Sequence, residues 1–238
     1  MSTYTEIAPI YDLLHDFKDY AQETAYVRAC VRARMPGARS LLDLACGTGN
    51  HVPGLLEDFE VEGLDLSPQM LGEARRKFPR LRFHEASMTG FELGRRFDVV
   101  CCLFRSIAAA RTSQGLDSAL AAMAGHVVPG GLVLIEPFFT PESFWVGDVK
   151  LHEARAPGLT VSWMHVSERR GDLGVFRNHY LIGRSDGIVH RTEDHELGLF
   201  RHADFVRAFA GAGLTMEHDP VGPSGLGFYV GRKPDARP

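Results

Sequence analysis

The chain has 238 residues, with 26 Lys and Arg against 30 Asp and Glu and an apolar share of 45%. A formal net charge of −4, with both signs scattered along the chain, offers no basic field for DNA or RNA and argues against a nucleic-acid partner. No apolar run approaches the ~18–20 residues of a membrane span, and Met1 to Phe17 lack the basic region and apolar block of a signal peptide, so the expectation is a cytoplasmic protein with no membrane partner. The four cysteines, Cys30, Cys46, Cys101 and Cys102, form no CxxC pair and sit in apolar surroundings; buried reduced thiols are expected, and no metal site.

In chain order, a helix is predicted near Tyr20 to Arg34, with Val27, Cys30 and Val31 spaced for one face and Pro36-Gly37 as its stop. Between Ser40 and Phe139 short apolar runs alternate with helical patterns: Leu41 to Ala45, Val61 to Leu66, Leu81 to Glu85, Val99 to Phe104 and Leu132 to Pro137. Ser67 caps and Pro68 opens a helix whose Met70, Leu71, Ala74 and Phe78 share a face. A further helix carries Leu116, Ala119, Leu120, Met123 and Val127 and is expected to stop at Pro129-Gly130-Gly131. Strands apolar throughout and separated by helices predict a parallel sheet buried on both faces.

From Leu151 to Phe200 the grammar changes. Three strand-like runs, Thr160 to Arg170, Gly174 to Arg184 and Ile188 to Leu199, are separated by the turn signals Arg170-Gly171-Asp172 and Ser185-Asp186-Gly187. This predicts an antiparallel β meander inserted into an α/β domain. A last helix, with Phe205, Phe209 and Ala212 on one face and Gly213 as its stop, and the run Gly227 to Gly231 would complete the main sheet; Pro234 to Pro238 are expected to fray. Residues 1–150 and 201–238 therefore read as one core, and 151–200 as an insertion roofing a pocket.

The run Leu41-Leu42-Asp43-Leu44-Ala45-Cys46-Gly47-Thr48-Gly49-Asn50-His51 is the most informative in the chain. A buried strand enters a Gly-x-Gly turn and then a helix, so backbone can approach a ligand at the carboxyl edge of the sheet. Asp65 closes the next strand, where a carboxylate suits the paired hydroxyls of a ribose. A nicotinamide site is the rival reading of such a turn, but the third glycine of GxGxxG would fall on Val52.

The pattern D-x-A-C-G-T-G resembles the first motif of class I S-adenosylmethionine-dependent methyltransferases. Gly63-Leu64-Asp65-Leu66-Ser67, Phe97-Asp98-Val99-Val100 and Val128-Pro129-Gly130-Gly131 resemble later motifs of that class. Tyr11-Asp12-Leu13, Lys18-Asp19-Tyr20, Glu136-Pro137-Phe138-Phe139-x-Pro141-Glu142, His179-Tyr180 and Gly222-Pro223-Ser224-Gly225 resemble, more narrowly, the N-methyltransferases that dimethylate nucleotide-linked aminosugars in antibiotic pathways. The resemblance implies a Rossmann-like class I methyltransferase fold with a seven-stranded mixed sheet, S-adenosylmethionine as cofactor and a small-molecule acceptor. It also implies a cofactor site built from Tyr11, Tyr20, Asp43, Ala45, Gly47, Gly49, Asp65, Leu66, Met70, Ser87, Met88 and Leu103, with the two tyrosines as its cover and Met88 beside the adenine.

The chain departs from that pattern on the acceptor side. Ser87 stands where an adenine-contacting aspartate is usual, Ala109 where a histidine is usual, Leu226 where an arginine is usual between two glycines, and Phe138-Phe139 where a tryptophan pair is usual. Methyl transfer from a sulfonium asks mainly for alignment in a dry site; a neutral amine needs no strong base, whereas an alcohol or phenol does. The candidates for such a base are His179 and His195, with His165 beside them in the meander. Tyr4, Arg105, Ser106, Phe138, Phe139 and His165 are the candidate acceptor contacts, Arg105 being equally suited to pair with Glu136 or Glu142. Phe144 and Trp145 add aromatic surface suited to a pocket mouth, a core or a homodimer contact. N-methylation of a nucleotide-linked aminosugar is the leading expectation. The alternatives are methylation of an oxygen or of a non-sugar amine, and, more distantly, a non-catalytic or nicotinamide-binding protein.

Overall fold

The computed structural model describes residues 6–235. Buried apolar strands lie side by side because each hides both faces. β1 (Ser40–Leu44) pairs in parallel with β2 (Glu60–Asp65) and with β4 (Phe97–Cys102), while β3 (Arg82–Glu85) pairs with β2 and β5 (Val127–Ile135) with β4. β11 (Phe228–Arg232) joins β5 antiparallel, and β10 (Thr215–Asp219) closes that edge, giving the order β10-β11-β5-β4-β1-β2-β3. The chain leaves β1 toward β2 on one side and returns to β4 on the other. That switch point is where open α/β sheets bind ligands.

Alternating residues of the strands feed two cores. Leu42, Leu44, Val100 and Cys102 pack with α5 (Ser113–Gly125) and α6 (His202–Gly211), and Leu41, Val99, Cys101 and Leu103 pack with α2 (Tyr20–Arg34) and α3 (Val52–Leu55). The helix starts follow their caps: Asp19 accepts from Gln22 N at 2.9 Å in α2, and the Ser67 hydroxyl accepts from Met70 N at 3.3 Å in α4 (Pro68–Lys77).

Three expectations need correction. The helix expected to reach Val127 ends at Gly125, and Val127 to Gly131 belong to β5. His126 makes the break: its Nδ1 donates to Ala122 O at 2.8 Å while its Nε2 accepts from Leu93 N at 3.1 Å, and Gly130 takes a φ of +76° that shifts the β4–β5 register. The seventh strand of the main sheet, β10, has no apolar alternation because it is a polar edge. The meander has four strands over 149–198 in place of three: β6 (Val149–Ala156), β7 (Leu159–Arg170), β8 (Leu173–Arg184) and β9 (Gly187–Gly198). β6 carries no inward apolar alternation at its start, because Val149 and Leu151 point outward whereas His152 points inward onto Trp163.

The inner face of the meander is used in two ways. Ala154, Val161, Tyr180 and Ile182 pack against Ile7, Ile10 and Leu14 of the N-terminal segment, which includes α1 (Tyr11–Leu14). His165, Phe176 and His195 continue that face toward Phe138 and Phe144. The outer face leaves Val149, Leu151, Met164, Val166 and Leu181 exposed. The four cysteines are free; Cys46, Cys101 and Cys102 are buried, which pushes their thiols well up, and Cys30 is half-buried. Among the described residues no helix is long and apolar enough to cross a membrane.

Phe209 joins α6 to the antiparallel edge, with its ring 2.5 Å from the point where a Cβ on Gly231 would sit. Phe209→Ala is expected to lower the stability by about 3–5 kcal/mol, read as a fall in the urea midpoint at unchanged slope.

Candidate cofactor and acceptor site

The turn after β1 takes three left-handed residues in five: Ala45 at φ +56°, Gly47 at +55° and Gly49 at +80°. Two are glycines for different reasons. A Cβ on Gly49 would press the Phe78 ring at 3.1 Å, whereas one on Gly47 would meet only Met70 Cε at 3.7 Å, so the ground above Gly47 is open to a ligand. Ala45 holds a left-handed conformation against its own Cβ, a local cost of about 1–2 kcal/mol.

Asp65, at the end of β2, fixes this turn. Its Oδ2 accepts from Gly47 N and its Oδ1 from Ser67 N, each at 2.8 Å, so one carboxylate ties the glycine turn to the start of α4. Burial raises the Asp65 carboxyl, and these backbone N–H groups act against that rise. Asp43, at the base of the pocket, is less well served. It is 1% exposed, its Oδ1 has only the Cys101 Sγ at 3.7 Å, and its Oδ2 has no partner. Burial pushes its pKa up to about 6.

The pocket formed here lies between the carboxyl ends of β1 and β4 and opens to solvent. Tyr11, Tyr20, Asp43, Ala45, Gly47, Leu103 and Ser106, all singled out from sequence, line it together. Tyr20 sits edge-on to His51 at 5.0 Å, and burial raises its hydroxyl pKa to about 12. The cover is latched: Lys77 Nζ reaches Asp12 Oδ2 at 2.6 Å and Asn50 Oδ1 at 2.7 Å, and Thr48 donates to Asp12. Behind it, His51 pairs with Glu23 at 2.9 Å and Glu23 with Lys18.

Other sequence-derived candidates lie around the pocket without lining it. Met70 is buried under the glycine turn, Leu66 is exposed just past β2, Met88 is buried in the main core, and Ser87 bonds Thr89. On the acceptor side, Phe104 and Arg105 are both left-handed, and Glu136 Oε2 accepts from Phe104 N at 2.7 Å. Arg105 Nε faces Glu136 Oε1 at 3.8 Å and its guanidinium lies 5.6 Å from the Phe139 ring, so of its two suggested partners Glu136 is the one it meets; Glu142 pairs with Arg201. Phe138, Phe139, Phe144, Trp145 and Phe176 form one aromatic cluster. His165 is buried, lacks a partner at Nδ1 and is held neutral with a pKa of about 4 by burial and then by its histidine and lysine neighbours. His195 shares the inner face and contacts Glu193 at 3.2 Å. His179 points to the outer face, exposed and stacked on His190. Tyr4 lies outside the described residues.

Sequence reasoning did not single out Cys46, Thr48, Asn50, His51 and Phe104, which also line the pocket. The first four were within the motif already quoted, so the polar side chains flanking its first glycine were the signal. No described group of three His, Cys, Asp or Glu is placed to hold a metal.

A glycine turn and an acidic strand end meet at the switch point of this sheet order, above a buried carboxylate with one unpartnered oxygen; the open ground over Gly47 and that Asp43 oxygen fit a polar ligand with an amino-acid end and a ribose. A methyltransferase-domain family model matches residues 41–131. Over 95% of this chain and 90% of the relative, the sequence is 45% identical to a dTDP-3-amino-3,6-dideoxy-α-D-glucopyranose N,N-dimethyltransferase of Streptomyces fradiae. It is 39% identical to a dTDP-3-amino-3,4,6-trideoxy-α-D-glucopyranose N,N-dimethyltransferase of Streptomyces venezuelae, over 94% of this chain and 96% of that one. Among solved structures, DesVI of Streptomyces venezuelae superposes with a TM-score of 0.89 at 39% identity, covering 95% of this chain and 98% of that one. The sugar N-methyltransferase KedS8 of Streptoalloteichus superposes at 0.88 and 40%, covering 94% and 93%. The chain belongs to the class I S-adenosylmethionine-dependent methyltransferases, in the branch that contains the dTDP-aminosugar N,N-dimethyltransferases.

Because the folded Asp43 carboxyl binds its proton up to a pH of about 6 and an unfolded one only to ~4, the folded state gains protons in that interval and its stability falls as pH rises through it. Above pH 6 the ionised carboxylate is expected to cost the ligand-free protein up to ~3 kcal/mol. Asp43→Asn is therefore expected to raise the thermal midpoint of the ligand-free enzyme at pH 7.5 and to leave it unchanged at pH 4, while weakening S-adenosylhomocysteine at least ~10-fold by titration calorimetry.

Proposed function

We propose that the chain methylates the amino group of a nucleotide-linked deoxy aminosugar, carrying it to the dimethylamine. The observation that carries this reading is the similarity along nearly the whole chain to relatives named for that same chemistry, which covers the meander and the pocket mouth as well as the cofactor motif. Bound across the turn, S-adenosylmethionine supplies an electrophilic methyl group on a sulfonium. The protein's own part begins with Asp65 and Gly47, which hold the ribose end, and with Asp43 and Ala45, which face the amino-acid end. Tyr11 and Tyr20 close over the ligand, and Leu66, Met70, Ser87 and Met88 flank the adenine. Leu103 shapes the floor, and Gly49 lets the turn close against Phe78.

On the acceptor side Arg105, Ser106, Phe138, Phe139 and His165 line the approach, and the aromatic cluster keeps water from it. None of the groups there is a strong base at neutral pH. His165 is uncharged by burial, and a neutral amine asks for none. We also propose that the chain forms a homodimer, for which light scattering at micromolar concentration is the check: twice the chain mass supports it, and the mass of one chain overturns it.

Incubation with S-adenosylmethionine and the three dTDP-aminosugars for which the relatives are named is expected to give mono- and then dimethylated product by mass spectrometry. Methylation of oxygen acceptors alone contradicts the reading. His179→Ala, a change on the outer face, is expected to alter turnover by less than ~3-fold, and His195→Ala by less than ~10²-fold, since a neutral amine needs no essential base. A loss above ~10³-fold in either makes the residue an essential base and favours an oxygen nucleophile.

A further inference from the structure

His15 was not marked by any motif, yet it stands where three parts of the molecule meet. Its ring stacks on Tyr11 of the cover at 4.2 Å, meets Phe104 of the pocket edge-on at 5.5 Å, and lies 5.7 Å from Trp163 of the meander. Phe17 completes the enclosure at 6.0 Å. The residue is 8% exposed. Its Nδ1 lies 2.9 Å from the Tyr11 carbonyl oxygen, which can only accept, so Nδ1 carries the proton and Nε2 keeps its lone pair. No described residue bonds Nε2. The ring stays neutral at physiological pH, with a pKa lowered to about 4 by burial; the Tyr11 carbonyl and Asp12 oppose that shift, and Lys18 and His152, the other charged or titratable groups around it, add to it.

We propose that His15 is the acceptor-side hydrogen-bond partner in this enzyme, its Nε2 taking one N–H of the sugar amine and so turning the nitrogen lone pair toward the methyl group. This rests on the amine reading above. A group with so low a pKa cannot hold the proton of an alkyl ammonium, whose pKa is ~10, so His15 orients the amine and does not store its proton. As the N–C bond forms, the C–S electron pair stays on sulfur and the nitrogen becomes an ammonium. Its proton passes to water, and the neutral secondary amine re-enters for the second transfer with its one remaining N–H still able to reach His15.

The test uses the full chain, the dTDP-linked 3-amino-3,6-dideoxyglucose as acceptor, and the variants His15→Phe and His15→Gln. Phe keeps the ring stack without an acceptor atom; Gln keeps an acceptor atom without the ring. His15→Phe is expected to hold S-adenosylhomocysteine within ~3-fold of wild type, to weaken the aminosugar in the presence of S-adenosylhomocysteine ~10-fold, and to lower kcat ~10²-fold. His15→Gln is expected to recover kcat to within ~5-fold. Unimpaired turnover in His15→Phe, an equal loss in both variants, or loss of S-adenosylhomocysteine affinity each overturns the assignment. A wild type that methylates no amine overturns the proposed function itself. An active wild type with an unimpaired His15→Phe overturns only the role of His15.

Discussion

One carboxylate organises the carboxyl edge of the main sheet. Asp65 spends both oxygens on backbone N–H groups, one in the glycine turn after β1 and one at the start of α4, and thereby sets the distance between the two segments a ligand must bridge. The turn needs that restraint, because Ala45, Gly47 and Gly49 all lie in left-handed conformations that an unrestrained chain would seldom hold together. The same restraint leaves Gly47 uncovered, and pocket and turn are in this sense one feature.

Across the sheet a second strained pair, Phe104 and Arg105, is held by Glu136, so both walls of the pocket carry backbone strain at the switch point. The walls differ in what they leave unfinished. On the β1 wall Asp43 is buried with one unpartnered oxygen, an arrangement that is costly without donors and that a ligand bringing donors would relieve. On the β4 wall Arg105 and Glu136 face each other beyond hydrogen-bond reach, and His165 is buried without a partner at Nδ1. Stability given up at these points is made up in the two apolar cores and in the meander's packing on the N-terminal segment.

The parts legible in the sequence were those where a local rule and the tertiary demand coincide. Helix α2 was placed from Tyr20 to Arg34, and the Ser67-Pro68 start and the Gly171 and Gly187 turns were read from residues whose preferences the fold uses directly. Three elements broke that coincidence. β6 carries its apolar residues outward, β10 is a polar edge, and Val127 continues a helical spacing across the break that His126 makes with its two ring nitrogens. At the site, the motif marked Asp43, Gly47 and Asp65, but nothing local marks His15: its position depends on contacts with Phe104 and Trp163, far along the chain. The direction of His179 was equally illegible, since a one-residue change of register would have turned it inward.

The most direct measurement is a crystal structure of the chain with S-adenosylhomocysteine. The account predicts the ribose hydroxyls on Asp65, the amino-acid end beside Asp43, Tyr20 closed over the ligand, and the sulfur directed toward Phe104 and His15. A ligand seated elsewhere, or one whose sulfur faces away from the meander, contradicts it.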